Sequence, residues 1–206
     1  MQQTPKEIEG TRKGEYTSTI TGLTLFTTYY IRSYATNSKG TAYGDQITFF
    51  AFGVGASYQG GIVAYVFASG DAGYVAGEVH GLIIAPTNQS SGASWGCSGT
   101  SVSTSQSLGS GKNNTNAIEA ACSTAGTAAD ICANLTLNEY DDWYLASLSE
   151  WQKIWINSSV LGLTDNYWSS SQSNSTMAYV GYTSYTGSTS AGSKISHIKV
   201  RAIRSF

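Results

Sequence analysis

YWSSSQSNSTMAYVGYTSYTGSTSAGSKISHIKVRAIRSF, residues 167–206, breaks into short β-rich runs separated by Ser, Gly and Asn, with no helical periodicity. Immediately upstream, DDWYLASLSE, residues 141–150, places Ser147 three residues before Glu150. That is a capping-box pair that opens a helix running through Ile154. Going further back, Thr127 can start a short helix with Ile131 and Leu135 on its inner face. Thr115 can cap another carrying Ile118, Ala121 and Cys122. From Asn88 to Asn114 the chain is mostly Ser, Gly and Thr, which reads as a long surface loop anchored by Trp95 and Val102. Before it, Gly61 to Phe67 and Gly81 to Ala85 are apolar strands of a hairpin, the second closed by Pro86. Helices set apart from antiparallel strands make residues 58–206 an α+β domain.

The N-terminal residues have a different pattern. Glu15 to Ile20 alternates, Thr28 to Ala35 is rich in Tyr and Ile, and Thr41 to Phe50 follows the turn cluster Asn37-Ser38-Lys39-Gly40. Residues 1–51 therefore form a small β-meander, and 52–57, FGVGAS, a joint built on glycine. GLTLFTTYYIRSYATNSKGTAYGDQITF resembles the last strands of a fibronectin type III (Ig-like) domain, with Leu23 and Tyr29 at the spacing that fixes its corner and Leu25 where that pattern has Pro. A sheet this small leaves an apolar face and strand edges uncovered, so the module is expected to pack on the following domain or on another chain.

Composition narrows the function. Charged residues are 12% of the 206, against about 25% in ordinary soluble domains, which suits neutral polar surfaces of exported proteins. A net charge of -2 with scattered Lys and Arg offers no stripe for phosphates, so nucleic acid is not an expected partner. No apolar run reaches the roughly 18 residues that span a bilayer, and Met1 is followed by polar residues, so a fragment of a longer exported protein is expected, without direct membrane insertion. Cys97, Cys122 and Cys132 form no CxxC pair and lie far from His80 and His197, which argues against zinc. Any of the three pairings is open, as are three buried thiols.

Tyr179, Tyr182 and Tyr185 recur every three residues beside Ser, Thr and Gly. That mixture makes antibody-like contact surfaces, because tyrosines give broad area at low entropy cost and small polar residues adapt. The plainer alternative is tyrosines paired across an exposed sheet. Trp143, Trp151, Trp155 and Trp168 read as core in preference to sugar-stacking rings. Arg201 and Arg204 read as scaffold, with Glu150 one possible partner. Glu139, Asp141 and Asp142 form an acidic cluster that could attract calcium, but neither Glu-Pro-Asn nor Gln-Pro-Asp occurs, nor Trp-Asn-Asp, so no metal or cofactor is expected.

YQGGIVAYVF, HGLIIAP, QSSGASWGC, GSGKNNTNAI, CSTAGTAADIC, DDWYLASLSE, NYWSSSQ and VRAIRSF occur in this order over residues 58–206. In this they resemble a family of bacterial, archaeal and phage surface domains related to the C-terminal domain of Legionella collagen-like protein. Ala146, Gln172 and Ser205 stand where that family usually has Pro, Glu and Ala. The resemblance implies a C-type-lectin-like fold with a ligand-binding face on its C-terminal strands. Some members resemble the variable proteins of diversity-generating retroelements, in which adenine-directed mutagenesis recodes positions near the C-terminus while a terminal strand stays fixed. Here NYWSSSQ and KVRAIRSF look like scaffold. The implied variable face is Ser173, Thr176, Tyr179, Gly181, Tyr182, Ser184, Tyr185, Ser188, Ser190, Ser193, Ser196 and His197. Lys, Glu, Gln, Met and Trp cannot arise from asparagine codons recoded at adenines. Met177 and Lys194 are the two such residues from Ser173 to Ile198, too close to the chain average to discriminate.

The expected function is a non-catalytic receptor-binding protein displayed extracellularly, on a cell surface or virion, that takes a protein or glycan on a host or neighbouring cell. The alternatives are an adhesin of fixed specificity or a pilus or fibre subunit. An enzyme is the rival class, because formylglycine-generating enzymes share the lectin-like fold and use a cysteine pair. Cys97, beside a Trp and a Gly, has no neighbouring base.

Overall fold

The computed structural model describes residues 20–24, 27–51, 53–181 and 190–206, and its contacts divide the chain into Met1–Phe52 and Gly53–Phe206. In the first unit, β1 (Thr28–Asn37) pairs antiparallel with β2 (Gly40–Phe50). Asn37 lies opposite Gly40, and its side-chain oxygen accepts the Lys39 amide at 2.8 Å, which closes the two-residue turn read from the sequence. One side of the ribbon carries Tyr29 stacked on Phe49 and Ile31 opposite Ile47, and beyond a register shift between Arg32 and Tyr34, Tyr34 stands beside Tyr43. The Tyr29 hydroxyl accepts the Thr24 amide at 2.7 Å. The strand expected over 15–20 lies outside the described residues save for Ile20, which is not in a strand.

The second unit is α+β. Its elements run β3 (Ser57–Tyr58), β4 (Gly61–Val66), β5 (Gly81–Ile84), β6 (Ser90–Ala93), α1 (Gly111–Ala121), α2 (Ala128–Ala133), β7 (Tyr144–Leu145), α3 (Leu148–Trp155), β8 (Tyr167–Gln172), β9 (Met177–Gly181), β10 (Ser190–Ser193), β11 (Ile198–Val200) and β12 (Ala202–Ser205). They form two five-stranded sheets ordered β3-β4-β5-β12-β7 and β10-β9-β8-β11-β6. Every pairing is antiparallel except β8 with β11. The expected joint is partly absorbed, since the Gly55 amide donates to Val63 and the Val63 amide to Ala56, both at 2.9 Å.

Strand alternation explains the core. Successive side chains point to opposite faces, so a strand buried on both sides is apolar throughout. Ile83 enters one cluster with Trp95, Ile118, Cys132 and Trp168, while its neighbours Leu82 and Ile84 enter another with Trp151, Ile154, Tyr167 and Ile203. Helices α1 and α2 contribute to the first cluster and α3 to the second. The indoles of Trp143, Trp151 and Trp168 are buried, as read, together with that of Trp95, the expected loop anchor, and each donates to a backbone carbonyl at 2.7–3.1 Å. Half-buried Trp155 stands edge-on to Tyr167.

Both side-chain bonds of the capping box are made at α3, and Thr127 caps α2 by accepting the Asp130 amide. Of the expected inner face of α2, Ile131 and Leu135 are half-buried, and Ala128, Ala129 and Cys132 are the residues fully inside. Two other expectations change. Thr115 is no cap but lies inside α1, buried, with its hydroxyl donating to the Gly111 carbonyl and accepting the Leu145 amide. The Asn88–Asn114 segment is not all loop, because it contains β6 and the first turn of α1. Cys97 and Cys122 form a disulfide that ties this segment to the end of α1. Cys132 is a buried free thiol whose pKa burial pushes well up, with the nearby Glu119 adding to the effect.

The β4–β5 connection is held to α3 by one polar network. Lys153 Nζ contacts Asp71 Oδ1 at 2.6 Å and donates to the Tyr65 hydroxyl at 3.2 Å, and that hydroxyl donates to Asp71 Oδ2 at 2.7 Å. Burial pushes the Asp71 carboxyl up, but the bonds from Lys153, the Ala68 amide and Tyr65 outweigh it and bring the pKa down to about 2. An acid with a depressed pKa binds fewer protons folded than unfolded, so its stabilisation is present above its ordinary value of 3.8 and is lost as pH falls towards 2. Denaturation midpoints of the wild-type protein should therefore drop between pH 4 and about 2 more steeply than those of Asp71→Asn. Parallel curves would show that the network does not couple to folding.

Candidate functional site

The implied face residues do not fall on one plane. Cross-strand partners share a face of the sheet. Tyr179 pairs with Ala191 and Ser193 with Met177, whereas Ser190 pairs with the buried Val180 and so lies on the core-facing side. Gly181 corrects the expectation of an exposed position. It is buried, and a Cβ there would come within 2.8 Å of the Trp151 ring, so the missing side chain lets α3 close on the sheet. Tyr182, Ser184, Tyr185 and Ser188 lie outside the described residues.

What the fold gathers is one end of the sheet. Ser173 and Thr176 are exposed in the turn from β8 to β9, where Asn174 Oδ1 accepts the amides of Thr176 and Met177 at 2.9 and 3.0 Å. Ser193 ends β10, and Ser196 and exposed His197 follow on the turn after it. The Lys194 amide donates to the Thr176 carbonyl and the Gly99 amide to the Ser175 carbonyl, both at 2.9 Å. These bonds join both turns to the disulfide-anchored loop at Cys97.

Lys194 pins this end from beneath. It is the only Asp, Glu, Lys or Arg between Asp165 and Lys199, and it has no exposed surface. Its Nζ donates to Gln172 Oε1 at 2.6 Å and to the Thr100 carbonyl at 2.9 Å, and lies 4.4 Å from the centre of the Trp95 ring. Burial shifts its pKa down. With Lys194 turned inward, the next side chain, Ile195, points out and is 68% exposed. The resulting tip presents hydroxyls around one aliphatic side chain, with the one lysine of the stretch turned inward. Sequence reasoning counted Lys194 only as an exception to a composition rule. Its isolation in a neutral stretch was the available signal.

The arginines are scaffold. Arg204 grips both oxygens of Asp142 through Nε at 2.6 Å and Nη2 at 3.0 Å, donates through Nη1 to Gln59, and lies 4.0 Å over the Tyr140 ring. Burial raises the Asp142 carboxyl, but Arg204 more than offsets this and holds it below its ordinary value. Arg201 donates to the Ala85 and Pro86 carbonyls at 2.7 and 2.8 Å. Among the bonds described, Glu150 partners neither arginine and instead caps α3. Among the described residues no group of three or more His, Cys, Asp and Glu is placed to hold a metal ion.

The chain matches no family model, and no curated protein matches it.

Proposed function

We propose that this chain is a non-catalytic, extracellularly displayed binding protein whose second unit is a C-type-lectin-like domain, with its contact surface at the sheet end formed by Ser173, Thr176, Tyr179, Ser193, Ser196 and His197. The observation that carries this reading is the separation of roles at that end. The exposed groups are small, neutral and polar with a tyrosine nearby, while the backbone beneath is held by Lys194, Gln172 and a disulfide. Such a surface can change its side chains without changing its scaffold. That is the property a diversity-generating retroelement variable protein needs. The two-sheet α+β arrangement, with the terminal β12 paired on both sides between β5 and β7, supports the lectin-like assignment. The paired Cys97 and Cys122 and the buried, protonated Cys132 give no support to a cysteine nucleophile.

A displayed library randomised at these six positions tests the reading. Most members should stay folded, each single change altering stability by no more than about 0.5 kcal/mol, and selection should yield binders to unrelated protein baits. General unfolding of the library, or failure to select any binder, would reject the surface. In the source genome, a reverse transcriptase beside a near-copy of the C-terminal segment that differs at adenines is expected. Its absence removes the retroelement part and leaves the binding part standing.

A further inference from the structure

A concave feature lies on the other sheet. Two tight turns stand side by side, one closed by the Tyr58–Gly61 pair and the other by the Leu137–Tyr140 bridge. They border a groove of about 450 Å³ lined by Ser57, Tyr58, Gln59, Asn138, Glu139 and Tyr140 among others. Its size is that of small-molecule sites in general.

The turns themselves hold the clue. Gln59, Asn138 and Glu139 have φ of 42°, 51° and 71°, the left-handed region where glycine is favoured. Two of these side chains repay the strain structurally. Gln59 Oε1 accepts from Arg204 at 3.0 Å, and Asn138 Nδ2 donates to the Gly60 carbonyl at 2.7 Å, which staples one turn to the other. Glu139 does not. It is exposed and makes no hydrogen bond or ion pair with the described residues, so a glycine would serve the fold at least as well. The Asn138 Oδ1 likewise accepts no bond there. A carboxylate and an amide oxygen without a partner among the described residues thus belong to residues that line the groove, on turns that are stapled together and that also carry Tyr58 and Tyr140.

We propose that this groove binds a neutral saccharide, whose hydroxyls donate to Glu139 and Asn138 while Tyr58 and Tyr140 flank the ring. Both free oxygens are acceptors, which calls for a ligand rich in donors. Glu139 repels anions, and the Arg204 guanidinium is committed to Asp142. That same guanidinium already lies on the Tyr140 ring, which disfavours a second cation there. An open polar groove with aromatic walls suits a pyranose. The inference does not depend on the proposed contact surface, which lies on the other sheet.

Saturation-transfer NMR and calorimetric titration of the full chain with glucose, galactose, mannose, N-acetylglucosamine and their dimers should show saturable, millimolar binding of at least one. Glucuronate and choline serve as charged comparisons. Glu139→Gly should weaken binding about tenfold while melting no lower than wild type, because glycine accepts this φ without strain. Tyr179→Ala should leave binding unchanged. The proposal is overturned if no neutral sugar saturates, if glucuronate or choline binds more tightly, or if Glu139→Gly binds as well as wild type. Loss of binding in Tyr179→Ala would also overturn it by moving the site to the other sheet.

Discussion

Replacing Glu150 with alanine is expected to cost about 3–5 kcal/mol of folding stability, read as a shift in the denaturant midpoint. The side chain is wholly buried. One carboxylate oxygen accepts the Ser147 amide at 2.6 Å and the other accepts the Gly109 amide at 3.2 Å and the Tyr144 hydroxyl at 3.4 Å. Alanine would strand these donors in a dry site and leave a cavity beneath the first turn of α3. Glu150→Gln keeps the volume and one acceptor oxygen, so it should cost well under half as much. The pH dependence separates charge from shape. Burial pushes the Glu150 carboxyl above its ordinary 4.5, against the pull of the Ser147, Gly109 and Gly111 bonds. A raised acid binds more protons folded than unfolded, so its share of stability falls as pH rises from 4.5 to its folded value, opposite in sign to Asp71. Glu150→Gln should lose this slope. An alanine variant as stable as wild type would mean that water reaches these amides.

Glu150 also marks what the sequence made legible. The capping box, the Thr127 cap and the Asn37–Gly40 turn are local devices, in which a few adjacent residues satisfy one another's backbone groups, so a short window contains the answer. The start of α1 was not legible, because Ser110 makes no side-chain cap bond. Its hydroxyl donates to the Ser105 and Ser107 carbonyls, while Asn114 bonds both backbone groups of Ser105, so the loop fixes the helix end. Strand β6 hid among Ser and Gly because its pairing with β11 comes from more than a hundred residues further along the chain. The same limit governed the contact surface. Alternation could not tell that Gly181 meets Trp151 or that Ser190 sits opposite a core valine, since both depend on which strands lie side by side. The cysteine pairing, open in the sequence, was settled by the fold bringing Cys97 and Cys122 to a Cα separation of 5.3 Å.

Lys194→Ala is expected to cost about 2–4 kcal/mol and to loosen the tip before the rest of the domain. Removing the side chain takes a cation from the Trp95 face and leaves the bond to the Thr100 carbonyl and one of the two bonds to Gln172 Oε1 unmade. The cation itself is costly, because Gln172, not a carboxylate, is its side-chain acceptor. Gln172→Glu should therefore stabilise the wild-type background by about 1–2 kcal/mol, since it completes a buried ion pair while keeping the oxygen that accepts the Val102 amide at 2.8 Å. In the Lys194→Ala background the same change should instead destabilise, by burying a lone carboxylate. That reversal of sign is a double-mutant cycle that no effect of size alone would produce. Hydrogen exchange at the Trp95, Gly99 and Lys194 amides reports the local consequence, because all three bonds cross between the segments that Lys194 joins. Faster exchange there, with core amides unchanged, is the expected result for Lys194→Ala. Uniform acceleration across the domain would instead make Lys194 an ordinary core residue, and the surface above it would lose its claim to a dedicated support.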